Sequence, residues 1–200
     1  MIKKRIIEIS NRLKGNKFFS NTLWIVSGKI FQMVLQLIVG MITARYLGPS
    51  NYGVIGYTAS YIAFFSNIAG LGFGSIAVKE LLENPDNQGG ILGTTIFFRL
   101  CASMLSCLSI VLLVFILDNG DTIIMQAAFL QSLALIFQSF EMIDFWYQSN
   151  LEAKVSVKVQ TLAYVIVSFY KIIILILQKN VIWFAFTTAL EAMVAAIFLM

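Results

Sequence analysis

Residues 22–53 read TLWIVSGKIFQMVLQLIVGMITARYLGPSNYG. The first 23 of these, 22–44, form an apolar run of the length a helix needs to cross a bilayer, about 20 residues within a range of about 17–25. The run carries one cation, Lys29, and no acid. It ends at Arg45-Tyr46, and Gly48-Pro49-Ser50-Asn51 then reads as a tight turn, with Tyr46 and Tyr52 suited to the membrane interface. Beyond the turn a second apolar run begins. The pattern is a pair of antiparallel membrane spans, and it sets the expectation for the rest of the chain.

The composition agrees. Of 200 residues, 59% are hydrophobic and 12% charged, with mean hydropathy +0.86. Soluble domains run about 45–50% apolar and about 25% charged, so a water-soluble globular domain is excluded. Reading outward gives six candidate spans, near 22–44, 54–76, 91–117, 122–147, 159–177 and 181–200. Pro49 and Pro85, the two prolines, fall between spans, where a missing N–H harms no helix. Gly89-Gly90, Asn119-Gly120 and Lys179-Asn180 punctuate other breaks. No alternating ten-residue pattern of a membrane barrel occurs. The fold class expected is all-α, a polytopic transmembrane helix bundle.

Basic residues orient the chain. With the N-terminus in the cytoplasm, the inner flanks hold Lys3, Lys4, Arg5, Arg12, Lys14, Lys17, Lys79, Lys154 and Lys158, against Arg45 and Lys179 outside. The net charge of +4 therefore suits an anionic membrane surface and not nucleic acid. Residues 1–20 form a basic segment in which Ile2, Ile6, Ile9 and Leu13 recur at helical spacing, the mark of a short helix lying on the cytoplasmic lipid surface, or else of a solvated basic tail. They lack the apolar core of a cleavable signal. Residues 21–200 are expected to form one six-span lobe. Because Ile197-Phe198-Leu199-Met200 ends on an apolar run, the sequence reads as a fragment truncated at its C-terminus.

Polar residues inside the spans point to function, because an ionisable group at mid-bilayer costs at least about 2.5–3.5 kcal/mol and faces the bundle interior or a wet cavity. Lys29, Gln32, Gln36, Gly40 and Thr43 share one helical face; Thr95, Arg99, Ser103 and Ser106 another; Gln138, Glu141, Asp144 and Gln148 a third. Gln160, Tyr164, Ser168 and Lys171 line up on the fifth span, and Thr187, Thr188 and Glu191 mark the sixth. Bland readings stand beside these. Gly53 and Gly56 suit helix contacts; Arg99 could pair with Glu141 or Asp144 as a buried bridge; Lys171 could snorkel to the interface. Lys29 has no carboxylate on its own helix. Together the stripes suggest a hydrophilic cavity in which Lys29, Gln32, Gln36, Arg99, Gln138 and Gln148 serve substrate passage and Glu141 and Asp144 are candidates for ion coupling. Fixed cations in a low-dielectric cavity favour an anionic group such as phosphate. With no His and two isolated cysteines, Cys101 and Cys107, neither a metal site, a cofactor nor a catalytic residue is expected.

Three motifs carry a resemblance. Ala44-Arg45-Tyr46-Leu47-Gly48-Pro49-Ser50-Asn51-Tyr52-Gly53 looks like the first-loop signature of the polysaccharide and O-antigen flippases, in the multidrug/oligosaccharidyl-lipid/polysaccharide exporter superfamily. Leu71-Gly72-Phe73-Gly74 with Lys79-Glu80 is similar to that family's end of helix two. Asp144-Phe145-Trp146-Tyr147-Gln148, then Glu152 and Lys154, resembles its loop between helices four and five. The resemblance implies twelve to fourteen helices in two lobes of six, of which this chain would be the first, in the cytoplasmic (inner) membrane. It also implies undecaprenyl-diphosphate-linked oligosaccharide as substrate, a C-terminal lobe and polysaccharide polymerase machinery as partners, and transport in place of enzymatic chemistry. The alternatives are a multidrug exporter or peptidoglycan-precursor flippase of the same superfamily, a membrane-embedded polysaccharide enzyme, and a purely structural subunit.

Overall fold

The computed structural model of the chain describes residues 17–70, 73–118, 120–150 and 152–200. The expected interfacial helix around Ile2, Ile6, Ile9 and Leu13 lies outside these residues. Among the described residues there is no strand. The described residues form seven helices: α1 (Lys17–Gly70), α2 (Phe73–Glu83), α3 (Gln88–Leu117), α4 (Thr122–Gln138), α5 (Met142–Ser149), α6 (Ala153–Ile176) and α7 (Val181–Leu199). Single 3-10 turns, Pro85–Asn87 and Ser139–Glu141, precede α3 and join α4 to α5. Five helical stretches among the described residues are long and apolar enough to cross a membrane, and the first of them, Thr22–Glu83, contains two of the expected spans.

Those two spans are separated by one residue. Gly48 alone is non-helical inside α1, at φ 71° and ψ 172°, and Pro49 starts the second arm. That backbone region is essentially closed to residues bearing a Cβ, while proline suits the first helical position, where its missing N–H has no intrahelical partner. The reversal is visible in the contacts. Gln32 shares a cavity with Gln138, and Ser66 Oγ donates to Gln138 Oε1 at 3.4 Å; a straight helix would hold Gln32 and Ser66 about 50 Å apart. The expected four-residue turn is thus tighter than the sequence suggests. Ser50 and Asn51 are already helical, and Asn51 Nδ2 donates back to the Leu47 carbonyl at 3.2 Å.

The helices also outrun the apolar stretches. Apolar pattern locates what lies in lipid, whereas helix continues wherever propensity and local pairs allow. Thus α2 extends to Glu83, with Lys79 and Glu83 paired at 3.8 Å one turn apart, and α6 begins at Ala153. At the other membrane face Asp121 caps α4, its carboxylate accepting from the Ile123 and Ile124 amides.

Burial is arranged polar-inward. On α3, Arg99, Ser103, Ser106, Ile110 and Val114 are buried while Phe98, Leu105, Leu108, Leu112 and Ile116 are exposed. Water would favour the reverse, and a bilayer satisfies this arrangement. α4 is central and presents Ala127, Ala128, Ser132 and Ala134 to its neighbours, small side chains that permit close approach, with the larger Gln131 buried among them. Ile62, Ile110, Val114, Ala128 and Leu135 make one core cluster. Hydroxyls join α3 to the α4 segment: Ser103 with Ser139 at 3.1 Å and Cys107 with Ser132 at 3.0 Å. Leu47, Ile174, Val181 and Phe184 make a second cluster at the Gly48 end.

Candidate functional site

The first arm of α1 packs on α6 and shares cavity walls with α5 and α7, because Lys29, Gln32 and Gln36 recur at three- and four-residue spacing and so project from one side of the helix. Three cavities follow this seam. One of about 140 Å³ is lined by Lys29 and Gln32 of α1, Asp144 and Gln148 of α5, and Ser156 and Gln160 of α6. The next, about 250 Å³, is lined by Gln32, Gln138, Glu141, Gln160, Thr188 and Glu191. Gln32 and Gln160 belong to both walls, so the two cavities adjoin. Through Thr188 the second adjoins a third of about 300 Å³, toward Gly48, lined by Gln36, Thr43, Tyr52, Tyr164, Lys171 and Thr187.

Asp144 is the organising group of the first cavity. It is 8% exposed, and its oxygens accept from Gln148 Nε2 at 3.1 Å, from Gln160 Nε2 at 2.9 Å and from Ser156 Oγ. Three neutral donors thus surround one buried carboxylate, the satisfaction a buried charge needs. Lys29 stands in the same cavity, exposed, and its charge acts on Asp144. It makes no ion pair among the described residues. Trp146 Nε1 donates to Gln88 Oε1 at 2.7 Å, which ties α5 to the start of α3.

Glu141 sits differently. Its Oε2 receives Arg99 Nη2 at 3.0 Å, and the Arg99 side chain is 10% exposed against 46% for Glu141. Arg99 therefore reaches the cavity wall from behind, and its charge is opposed by Glu141. Further along, Lys171 and Glu191 attract each other across the second and third cavities.

Of the residues singled out by sequence, Lys29, Gln32, Asp144 and Gln148 come together in the first cavity, Gln32, Gln138 and Glu141 in the second, and Gln36 in the third. Arg99 lines none of the three; it takes the geometry of the buried bridge. Sequence reasoning passed over Ser156, and it placed Gln160 and Lys171 near helix ends. All three line the cavities, and Ser156 can do so because α6 begins at Ala153, a turn and a half before its apolar stretch. The spacing Ser156, Gln160, Tyr164, Lys171 held that signal.

The assembled wall can do two things. Amide groups of Gln32, Gln138, Gln148 and Gln160 both donate and accept, as a polyhydroxylated ligand requires, and Lys29 offers a cation to an anionic group in a poorly screened setting. Among the described residues no group of His, Cys, Asp and Glu is placed to hold a metal. The family model described as "Polysaccharide biosynthesis protein" matches residues 18–200. Neither the curated proteins nor the solved structures gave a match to the chain.

Proposed function

We proceed from the fact that this chain belongs to the polysaccharide biosynthesis protein family, and we propose that it flips lipid-linked oligosaccharide repeat units across the cytoplasmic membrane for surface polysaccharide assembly. One observation carries this reading: a membrane-embedded bundle holds adjoining polar cavities walled by four glutamines and a cation that no carboxylate pairs within the described residues. Sugar hydroxyls would exchange hydrogen bonds with Gln32, Gln138, Gln148 and Gln160, while Lys29 would meet the diphosphate of an undecaprenyl-diphosphate carrier. The carrier's chain would stay in lipid, so the protein moves a polar head and makes or breaks no covalent bond.

In this reading the N-terminus is cytoplasmic and the chain moves substrate from the inner to the outer leaflet. Lys29, Gln36 and Gln148 are exposed at the cavity mouths. A second lobe facing them would close the passage, and the rocking of two lobes about the shared site would expose it to either side in turn. Asp144 and Glu141 would couple that motion to an ion.

The experiment is complementation of a host unable to export its own repeat unit. Expression of the lobe together with its second lobe, as in a full-length gene, should restore surface polysaccharide, whereas this lobe alone should not; full membrane insertion of both without restoration would overturn the reading for that substrate. Lys29→Ala should cut export at least several-fold at equal membrane abundance, and Lys29→Arg should retain most of it. Normal export by Lys29→Ala would remove Lys29 from the passage.

A further inference from the structure

On the side of α1 and α6 away from the polar cavities lies a groove of about 470 Å³. Its walls are Trp24 and Phe31 of α1 and Val157, Leu162 and Val165 of α6. Gly28 and Val157 line both this groove and the Lys29–Asp144 cavity, so one layer of side chain separates them. A Cβ at Gly28 would collide with the Val157 side chain, which fixes the close approach of the helices at this level.

The groove is graded along its length. Lys154, Lys158 and Thr161 of α6 recur at four- and three-residue spacing, which sets them on one face in that order from the helix start. Lys154 Nζ lies 5.0 Å from the centre of the Trp24 ring, the arrangement of a cation and an aromatic at a membrane interface. Both lysines are exposed, and neither is ion-paired among the described residues. Thr161 Oγ1 is withdrawn from solvent and has no hydrogen-bond partner among the described residues. Beyond Thr161 the walls are apolar. Two unneutralised cations, then an unpartnered buried hydroxyl, then an apolar trough match, in order, the phosphate, the ester-linked backbone and the chain of an anionic glycerophospholipid.

We propose that the α1–α6 groove binds one anionic glycerophospholipid from the leaflet at the Lys154 end. The phosphate lies between Lys154 and Lys158, the Thr161 hydroxyl donates to an ester carbonyl, and an acyl chain runs past Phe31, Leu162 and Val165. The site is separate from the passage proposed above and does not depend on it.

Trp24 is the built-in reporter. With Trp146→Phe and Trp183→Phe in the full chain, fluorescence is read in vesicles of phosphatidylcholine containing either dibrominated phosphatidylglycerol or dibrominated phosphatidylcholine at equal mole fraction. Brominated phosphatidylglycerol should quench Trp24 at far lower mole fraction. Each lysine contributes about fivefold to that preference, so Lys154→Gln with Lys158→Gln should reduce it about twenty-fivefold. Equal quenching by the two lipids would overturn the proposal. So would displacement of phosphatidylglycerol by an equimolar polyprenyl phosphate, which would give the groove to a transported lipid. If the tryptophan variants fail to fold, native mass spectrometry of the unaltered protein and of the double-lysine variant reads the same quantity. Retained phosphatidylglycerol in the first and its loss in the second are expected; equal retention would overturn the site.

Discussion

The Arg99–Glu141 pair gives an asymmetric prediction. The two groups touch at 3.0 Å, yet they are unequally wet: the Arg99 side chain is 10% exposed and that of Glu141 46%. Removing one partner of a buried pair costs about 3–5 kcal/mol because the survivor is left charged and dry. Removing one partner of an exposed pair costs about 0–1 kcal/mol. Glu141→Leu strands the buried guanidinium and belongs near the lower edge of the first range, about 3 kcal/mol. Arg99→Leu leaves a half-exposed carboxylate on the cavity wall that water can reach, so about 1 kcal/mol is expected. At roughly 2–4 °C per kcal/mol for a chain of this size, midpoints should fall by about 6–12 °C and about 2–4 °C respectively. The double variant should resemble Arg99→Leu alone, since the stranded charge is gone. Thermal unfolding of detergent-solubilised protein, followed as the loss of the monodisperse gel-filtration peak, measures all three. Equal losses for the two single variants, or a double variant that loses their sum, would refute the assignment of unequal hydration.

Two further substitutions probe the frame. Gly48→Ala must place a Cβ at φ 71° and ψ 172°, a conformation costing of order 1–3 kcal/mol for a non-glycine residue; the same thermal assay should show the loss, and an unchanged midpoint would mean that the reversal tolerates another backbone path. Gln131 is fully buried; among the described residues its Oε1 has no partner and its Nε2 reaches only the Ile55 carbonyl at 3.5 Å. Gln131→Leu removes an unsatisfied polar atom and should leave the midpoint unchanged or raise it by a few degrees. A marked fall would show that the amide has a partner in the membrane.

The bilayer is what made so much of the fold legible beforehand. Lipid demands contiguous apolar length, so the stretches at 22–44, 91–117 and 181–200 announce their helices without any knowledge of packing. The same logic hides what lies past the apolar stretch: nothing in hydropathy tells that α6 begins at Ala153 or that α4 gives way to a 3-10 turn at Ser139–Glu141. Site residues divide in a similar way. Lys29, Gln32 and Asp144 were readable because a polar group inside a span needs a reason. Their grouping was not, since which faces meet depends on the crossing of α1 with α5 and α6, and sequence spacing fixes faces only within one helix. Arg99 illustrates the limit: the sequence left open contact with a ligand or a bridge to Glu141 or Asp144, and the packing of α3 against Ser139–Glu141 selects Glu141.

The reversal at Gly48 has a mechanical consequence. The second arm of α1 is anchored, through Ile62, in the cluster that holds α3 and α4 together. The first arm carries Lys29, Gln32 and Gln36, yet Val26, Ile30, Met33, Val34, Leu37, Ile38 and Met41 along it are all exposed. A post and a panel, the latter packed on α6 at Gly28 and Val157, are joined by one residue, with no loop between them to absorb slack. A rotation of the first arm about this single junction would carry the packed α6 with it, and its displacement would be smallest near Gly48 and grow with distance toward Trp24. Lys29, far out on that panel, travels further than Gln36 for the same swing, so the cation sweeps the longest arc of the cavity groups on its helix.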